Sequence, residues 1–493
     1  MEYIMGIDLG TTGCKASLFD SRGRLAAQAY REYPVGEYTG CIDGRMAWEK
    51  AGEVIRECCA VQNRVQAVCV TSFGETVVLV DREKRVLCDS FLYTEGGVDD
   101  EWRELEQKVG KERIHEITGH ISHPMYTVSR LIWYRKNHPG LYARADQCLF
   151  FSSYIAMCMG ARCVTEDTHA ARSMAYDVKN GCWSKEILSA AEISGEKLPP
   201  IVKAGEIIGR MSEECRRALG FANVPLIISG GQDQPCVALG MGAVRGGDAV
   251  YGLGTVECLS VVLDQYRQTE QMRQNHLVCA PHVVPGKYLT YGVLYSGGNV
   301  IRELRNRLYG GDGLLDADRQ QLYTEMFDGL RESDRELYFV PHLFGAGTPR
   351  MNQREGAGIH GLRPDTTRQD ILRAALEGLA FDMRINIENM RNSGIEVSRI
   401  RAAGGGAKSE QAMQIRADAL DQELYLQEDV QAGARGVFFI AAKTLGWIQD
   451  YSEAAQYVDT GEHMCAPREE WTECYRRKYE KYREWDRIHG LET

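Results

Sequence analysis

The 16 cysteines of this 493-residue chain never stand as Cys-x-x-Cys. That leaves zinc ribbons, thioredoxin-like redox centres and dense disulfide frameworks unsupported. No run is long and apolar enough to span a membrane. Positive charge is short, with 58 Lys and Arg against 69 Asp and Glu and a net charge of −11. A nucleic-acid groove is therefore not expected, because phosphate backbones attract basic faces. A bound nucleotide is not excluded, since it needs only a few local donors. The sequence Gly-x4-Gly-Lys-Ser/Thr does not occur, so the P-loop design is absent. The start, "MEYIMGIDLG", enters a strand almost at once, with neither a basic flank nor a long apolar core. These gaps together lead to the expectation of a reduced, cytoplasmic protein that engages neither nucleic acid nor membrane.

What is present is ordinary globular material. Hydrophobic content of 44% with 26% charged residues excludes disorder. A chain this long exceeds one hydrophobic core, so two or three domains are expected. The organisation shows in a repeat. "LGTTGCKASLFD" (Leu9–Asp20) and "LGTVECLSVVLD" (Leu253–Asp264) share Leu, Gly, Thr, Cys and Asp in step, and begin 244 residues apart. Each reads as strand, Gly-Thr turn, strand, and the period is far too long for a solenoid. Two similar domains facing across a cleft are expected, 1–245 and 246–493, joined near Arg245–Asp248. No Pro- or Ser-rich linker marks the join.

The pattern predicts strands over Tyr3–Asp8, Cys14–Phe19, Leu25–Tyr33 and Val65–Thr71, a helix over Trp48–Val61, and a further hairpin over Glu75–Asp81 with its "DREK" turn. In the second half it predicts strands over Ala249–Leu253 and Cys258–Leu263. A long helix follows over Thr367–Met390, with Thr367 and Asp370 placed to cap it.

A Gly-Thr hairpin tip offers backbone N–H groups and hydroxyls that can wrap a phosphate. Alone it is only a turn; two in step, each opening half of the chain, suggest paired clamps. Gly10, Thr11 and Thr12 form the first tip, with Lys15 beside it, and Gly254 and Thr255 form the second. Asp8 next to the first tip either caps the turn or holds Mg²⁺, which is satisfied by one or two carboxylates plus water and phosphate. In "AAGGGAKSEQAMQIRAD" (Ala402–Asp418), glycines between a strand and a helix let a flat group or a phosphate approach the backbone.

The set "GIDLGTTG", "SGGQDQPCVALGMGAV", "YGLGT", "PHLFGAGTPRMNQREGAGIHGL" and "AAGGGAKSEQAMQIRAD" resembles the FGGY family of carbohydrate kinases, in family order and over essentially the whole chain. The resemblance implies an α/β fold of two actin-like (ribonuclease H-like) ATPase domains flanking a catalytic cleft. It implies ATP and Mg²⁺ as cofactors, with Gly297, Gly405, Gly406, Ala407 and Ser409 joining the nucleotide site. It also makes Asp233, in "SGGQDQPC", the base that takes the proton of the attacking sugar hydroxyl, with Gln232 and Gln234 placed to bind neighbouring hydroxyls. Such an enzyme transfers the γ-phosphate of ATP to a ketose or polyol.

The acceptor region departs from the family. Where glycerol kinases carry an adjacent Arg-Glu pair, this chain has Gly74 and Glu75. The carboxylate is kept, the arginine is lost, and the loss is expected to open room beside the acceptor. Phe73 is expected as an apolar wall. Met125 stands where glycerol kinases have a tyrosine. Tyr93, Glu95 and Gly97 replace the markers of a Trp-x-Asp-x-Arg stretch, and Ala412 replaces a tryptophan in the adenosine segment. His115, His120 and His123 lack a second cluster to complete a zinc site. Two competing functions are an actin- or chaperone-like ATPase switch and a silent sugar-binding regulator. Asp233 in its double-glycine frame favours a kinase over both. The expected partner is a small sugar or polyol; the oligomeric state stays open, a homodimer included.

Overall fold

The computed structural model describes residues 2–33, 40–313, 316–427, 431–458 and 463–491. Two mixed sheets organise the chain. The first holds β1 (Tyr3–Leu9), β2 (Gly13–Asp20), β3 (Leu25–Glu32), β4 (Val65–Ser72), β5 (Ile207–Arg210) and β6 (Leu226–Gln232), in the order β5-β6-β4-β1-β2-β3. The second holds β7 (Asp248–Leu253), β8 (Glu257–Leu263), β9 (Ala280–Pro281), β10 (Tyr288–Leu294), β11 (Arg399–Ala403), β12 (Leu424–Leu426) and β13 (Met464–Cys465), in the order β9-β10-β8-β7-β11-β12-β13.

The repeat seen in the sequence is a repeat of topology. In each sheet the opening strand pairs antiparallel with its successor, β1 with β2 and β7 with β8. On its other side it pairs parallel with a strand reached by a crossover, β4 or β11. The hairpin registers differ by one residue: Leu9 faces Cys14, whereas Leu253 faces Glu257.

Helices cover the sheets: α1 (Gly44–Val61), α2 (Asp233–Gly240), α3 (Gly298–Tyr309), α4 (Arg368–Asn392), α5 (Glu410–Leu420), α6 (Ala432–Thr444) and α7 (Glu469–Leu491). α1 starts four residues before Trp48, where the Asp43 side chain accepts from Arg45 N. α4 has the expected capping box, with Thr367 and Asp370 satisfying each other's backbone N–H groups. The hairpin expected at Glu75–Asp81 is not built that way. Val77–Val80 pairs antiparallel with Gln147–Phe150, and the return past the "DREK" turn contributes only a single bridge, Val80 to Val86. A partner 70 residues away wins because both segments are apolar and bury each other.

α6 belongs to the second half by number, yet it packs on the first sheet. Val437, Phe438 and Ile440 join Ile4, Phe19, Cys69 and Ile228 in one buried cluster. Each such side chain contributes about 1.5–3 kcal/mol on burial. The chain thus returns to its first sheet near its end, and a division at 245/246 does not separate the two cores. This return brings the start of α6 beside the end of β1. Among the described residues, no helix is long and apolar enough to cross a membrane.

Candidate active site

β6 ends at Gln232 and α2 begins at Asp233, so the first helical residue sits where unpaired N–H groups concentrate positive potential. Gln234 N donates to Asp233 Oδ1 at 2.6 Å, and the Gln232 side-chain amide donates to the same oxygen. Burial and the negative charges of Asp8 and Glu75 nevertheless push the Asp233 carboxyl up to about 7. A carboxyl poised near neutrality suits general-base work. Gln232 was expected to bind acceptor hydroxyls; its amide is engaged with Asp233.

A buried relay holds this corner. Gln232 N donates to Thr168 Oγ1 at 2.8 Å, and Thr168 Oγ1 donates to Glu166 Oε2 at 2.7 Å. Glu166 Oε1 meets His169 Nδ1 at 2.5 Å, and His169 Nε2 meets Ser72 Oγ at 3.0 Å. The Ser-His-Glu order looks hydrolytic, but Ser72 is wholly buried, so no substrate reaches it. No spacing in the sequence announces this relay, because its members come from β4, β6, the strand Thr165–Glu166 and the short helix Asp167–Ala171.

Asp8, near the end of β1, is half-buried and faces Lys15 across the β1–β2 ladder. Burial raises its carboxyl above the usual range and Lys15 opposes that. A Cβ on Gly433, in the first turn of α6, would lie 2.6 Å from Asp8 Oδ2, so only glycine leaves this carboxylate its place. Hard carboxylate oxygen beside the first Gly-Thr turn is a donor type that fits Mg²⁺.

The acceptor turn departs from expectation in three ways. Phe73 is not a pocket wall: it is buried and packs tilted against Phe151, ring centroids 4.9 Å apart, in the core beside β4. Gly74 does not open room. A Cβ there would lie 2.9 Å from Arg172 Cγ, so the arginine stem fills that space. Met125, partly buried, packs against the apolar cluster around Val77–Val80 and Gln147–Phe150, and the neighbouring Tyr126 is buried within that cluster while its ring and hydroxyl also meet polar groups. Its ring lies 5.3 Å from the Arg172 guanidinium, and its hydroxyl meets His120 Nδ1 at 3.0 Å.

Glu75 is buried with φ of 61°, a conformation costly for a non-glycine residue. Arg172 Nε donates to its Oε1 at 2.5 Å, and Thr127 Oγ1 donates to its carbonyl at 2.6 Å. Tyr93 and, from the second sheet, Tyr291 and Cys258 sense the same charges, and their hydroxyl and thiol groups are raised mainly by burial. Both sheets therefore present groups to one site.

On the second sheet, a cavity of about 800 Å³ is lined by Gly254 and Thr255 of the second hairpin and by Gly405, Gly406 and Ser409. Ser409 caps α5 by accepting from Ala412 N. Gly297 precedes α3 against Glu257, and Gly405 to Lys408, which includes Ala407, is a 3₁₀ turn. Neither Gly297 nor Ala407 lines the cavity, and the first hairpin (Gly10, Thr11, Thr12) lies outside it. Sequence reasoning missed the cavity's aromatic side, Tyr323 and Phe327 on the helix Asp316–Phe327. It also missed Arg416. Buried at the cavity's base, Arg416 pairs with Glu257 Oε1 at 2.6 Å and Oε2 at 3.0 Å, bolting α5 to β8.

Two sheets that each open on a Gly-Thr hairpin, with a raised carboxyl at a helix start, define a phosphotransferase of the actin-like class. The chain matches the family descriptions "FGGY family of carbohydrate kinases, N-terminal domain" over residues 3–240 and "FGGY family of carbohydrate kinases, C-terminal domain" over residues 249–445. It therefore belongs to the FGGY family of carbohydrate kinases, ATP-dependent enzymes that phosphorylate an alcohol group. It is 26% identical to a glycerol kinase of Streptococcus pyogenes, covering 99% of this chain and 96% of the relative. Among solved structures it is similar to a xylulose kinase of Lactobacillus acidophilus, with a TM-score of 0.90, 22% identity and full coverage of both chains. A glycerol kinase of Plasmodium falciparum with ADP gives a TM-score of 0.86 at 18% identity, covering 99% of this chain and 97% of that one.

Proposed function

We propose that this kinase phosphorylates an uncharged ketose or polyol larger than glycerol, with Asp233 as the base. In this reading Asp233 accepts the proton of the acceptor hydroxyl as its oxygen bonds to the γ-phosphorus and ADP leaves. Glu75 accepts a hydrogen bond from a second acceptor hydroxyl, and Gln234 serves a neighbouring one. Gly10, Thr11, Thr12 and Lys15 hold phosphates from one side, Gly254 and Thr255 from the other. Gly405, Gly406 and Ser409, with Tyr323 and Phe327, receive the adenosine. Asp8 would hold Mg²⁺, which when bound supplies charge compensation to the phosphates. Positioning and electrostatics of this kind carry most of phosphoryl transfer.

The observation that supports this reading most is the Asp233 carboxyl at the start of α2, pushed to about 7 between Asp8 and Glu75. A cluster of three carboxylates disfavours an anionic acceptor such as an aldonate, because the adjacent cation Arg172 is already engaged with Glu75. Glycerol is expected to be poor, since the acceptor turn offers Glu75 without an arginine of its own. Extra room beside Gly74 contributes nothing to this preference, as Arg172 occupies it. ATP consumption measured with glycerol, five- and six-carbon ketoses, polyols and aldonates tests the reading. It is overturned if glycerol or an aldonate has the highest specificity constant.

A further inference from the structure

Gly74 and Arg172 are a matched pair. The Arg172 stem runs over the Gly74 backbone, so that a Cβ at position 74 would sit 2.9 Å from Arg172 Cγ and 3.1 Å from its Cβ. The same arginine ends on Glu75, where both Nε and Nη2 reach Oε1. It also stacks over Tyr126, ring centroid 5.3 Å away. The side chain is nearly buried, with 15% exposure against 4% for Glu75. Long arginine side chains lose much rotamer freedom when held this way, so the three contacts fix one geometry.

We infer that Arg172 is the positioning residue for the acceptor, holding the strained Glu75 carboxylate aimed into the cleft, and that glycine at 74 is what admits it. Arg172 acts on Glu75 from the segment after the helix Asp167–Ala171, not from the acceptor turn. Because both guanidinium contacts fall on Oε1, Oε2 stays available to an acceptor hydroxyl. Glu75 sits in left-handed backbone, at φ of 61°, and Thr127 Oγ1 anchors its carbonyl at 2.6 Å. Without the guanidinium, this carboxylate would be a buried charge with no counter-ion, and it would turn toward water. The consequence falls on acceptor affinity, not on the chemical step, since Arg172 does not bond to Asp233.

The inference rests on the proposed roles of Glu75 and Asp233, and the test separates the two. Steady-state kinetics are measured on the full chain carrying R172M, R172K, G74A, E75Q, the R172M/E75Q pair or D233N, with the best acceptor of the panel and ATP each varied. R172M is expected to raise the acceptor KM about 10–100-fold, with the ATP KM within about twofold and kcat within about fivefold. G74A, which pushes the stem aside, is expected to move the acceptor KM in the same direction. R172K, which keeps the charge, should recover part of the loss. Adding R172M to E75Q should change the acceptor KM less than about threefold, because the arginine acts through the carboxylate. If R172M does not fold, R172K and G74A carry the same readout. An acceptor KM left unchanged by R172M or by R172K and G74A overturns the inference, as do multiplicative effects of R172M and E75Q. A D233N enzyme that still turns over overturns the proposed base instead, whatever Arg172 does.

Discussion

Asp8 and Gly433 touch across 425 residues of chain: a Cβ on Gly433 would lie 2.6 Å from Asp8 Oδ2. This contact exists because α6, late in the sequence, returns to pack on the first sheet with Val437 and Phe438. It ties the carboxylate expected to hold Mg²⁺ to the core that closes the fold.

The first prediction follows from it. Gly433→Ala would force the Asp8 carboxylate to move by several tenths of an ångström or more. At fixed ATP, the Mg²⁺ concentration giving half-maximal rate should rise about tenfold, the scale of disturbing a supporting contact of a metal ligand. The full rate should be partly restored at high Mg²⁺. An unchanged Mg²⁺ midpoint would show that Asp8 does not bind the ion.

A second concerns pH and stability. Asp233 has its carboxyl raised to about 7 in the folded protein, against 3.8 as the ordinary value. A raised carboxyl means the folded state binds a proton that the unfolded state does not, between those two pH values. Its charge therefore costs stability above pH 7, and the cost fades as pH falls from about 7 toward about 4. Asp233→Asn should raise Tm at pH 8 more than at pH 5, as thermal unfolding at both values will show. An equal shift at both would contradict the buried, charge-crowded site.

The pair Glu257–Arg416 gives a third. Both side chains are buried, at 1% and 2% exposure, and Arg416 also reaches the Tyr251 hydroxyl at 3.2 Å. Glu257→Gln leaves the guanidinium without its counter-charge, which should cost about 3–5 kcal/mol in chemical denaturation. A cost below about 1 kcal/mol would mean the pair is not sealed from water.

For the nucleotide, Tyr323→Ala and Phe327→Ala should each raise the ATP KM about 5–30-fold, the scale of losing a base-stacking ring. The acceptor KM should stay put. ADP binding by calorimetry, done without acceptor, reads the same effect. Unchanged ADP affinity in both variants would move the base elsewhere in the cavity.

Much of this molecule was legible before its structure. The paired hairpins declared the duplication, because a strand–turn–strand with glycine and threonine leaves a local signature. The α4 capping box did the same through Thr367 and Asp370. The placement of Asp233 just after a strand was legible because its glycine frame is contiguous in sequence. What stayed hidden was assembled from distant segments. Arg172 fills the place beside Gly74 from 98 positions on, and local patterning cannot report such a substitution in space. That Tyr126 meets Arg172 and Met125 only borders the apolar cluster was hidden for the same reason: adjacent residues differ in facing, and only packing decides which turns inward. Val77–Val80 chose a partner by tertiary burial over the turn at hand.

The most direct test of the account is the kcat of Asp233→Asn at saturating ATP, Mg²⁺ and acceptor, with acceptor affinity measured separately by calorimetry. The account predicts a fall in kcat of at least about 10²-fold, the scale of removing a positioned base, with acceptor affinity within about threefold of the native enzyme. A variant that turns over near the native rate would contradict it.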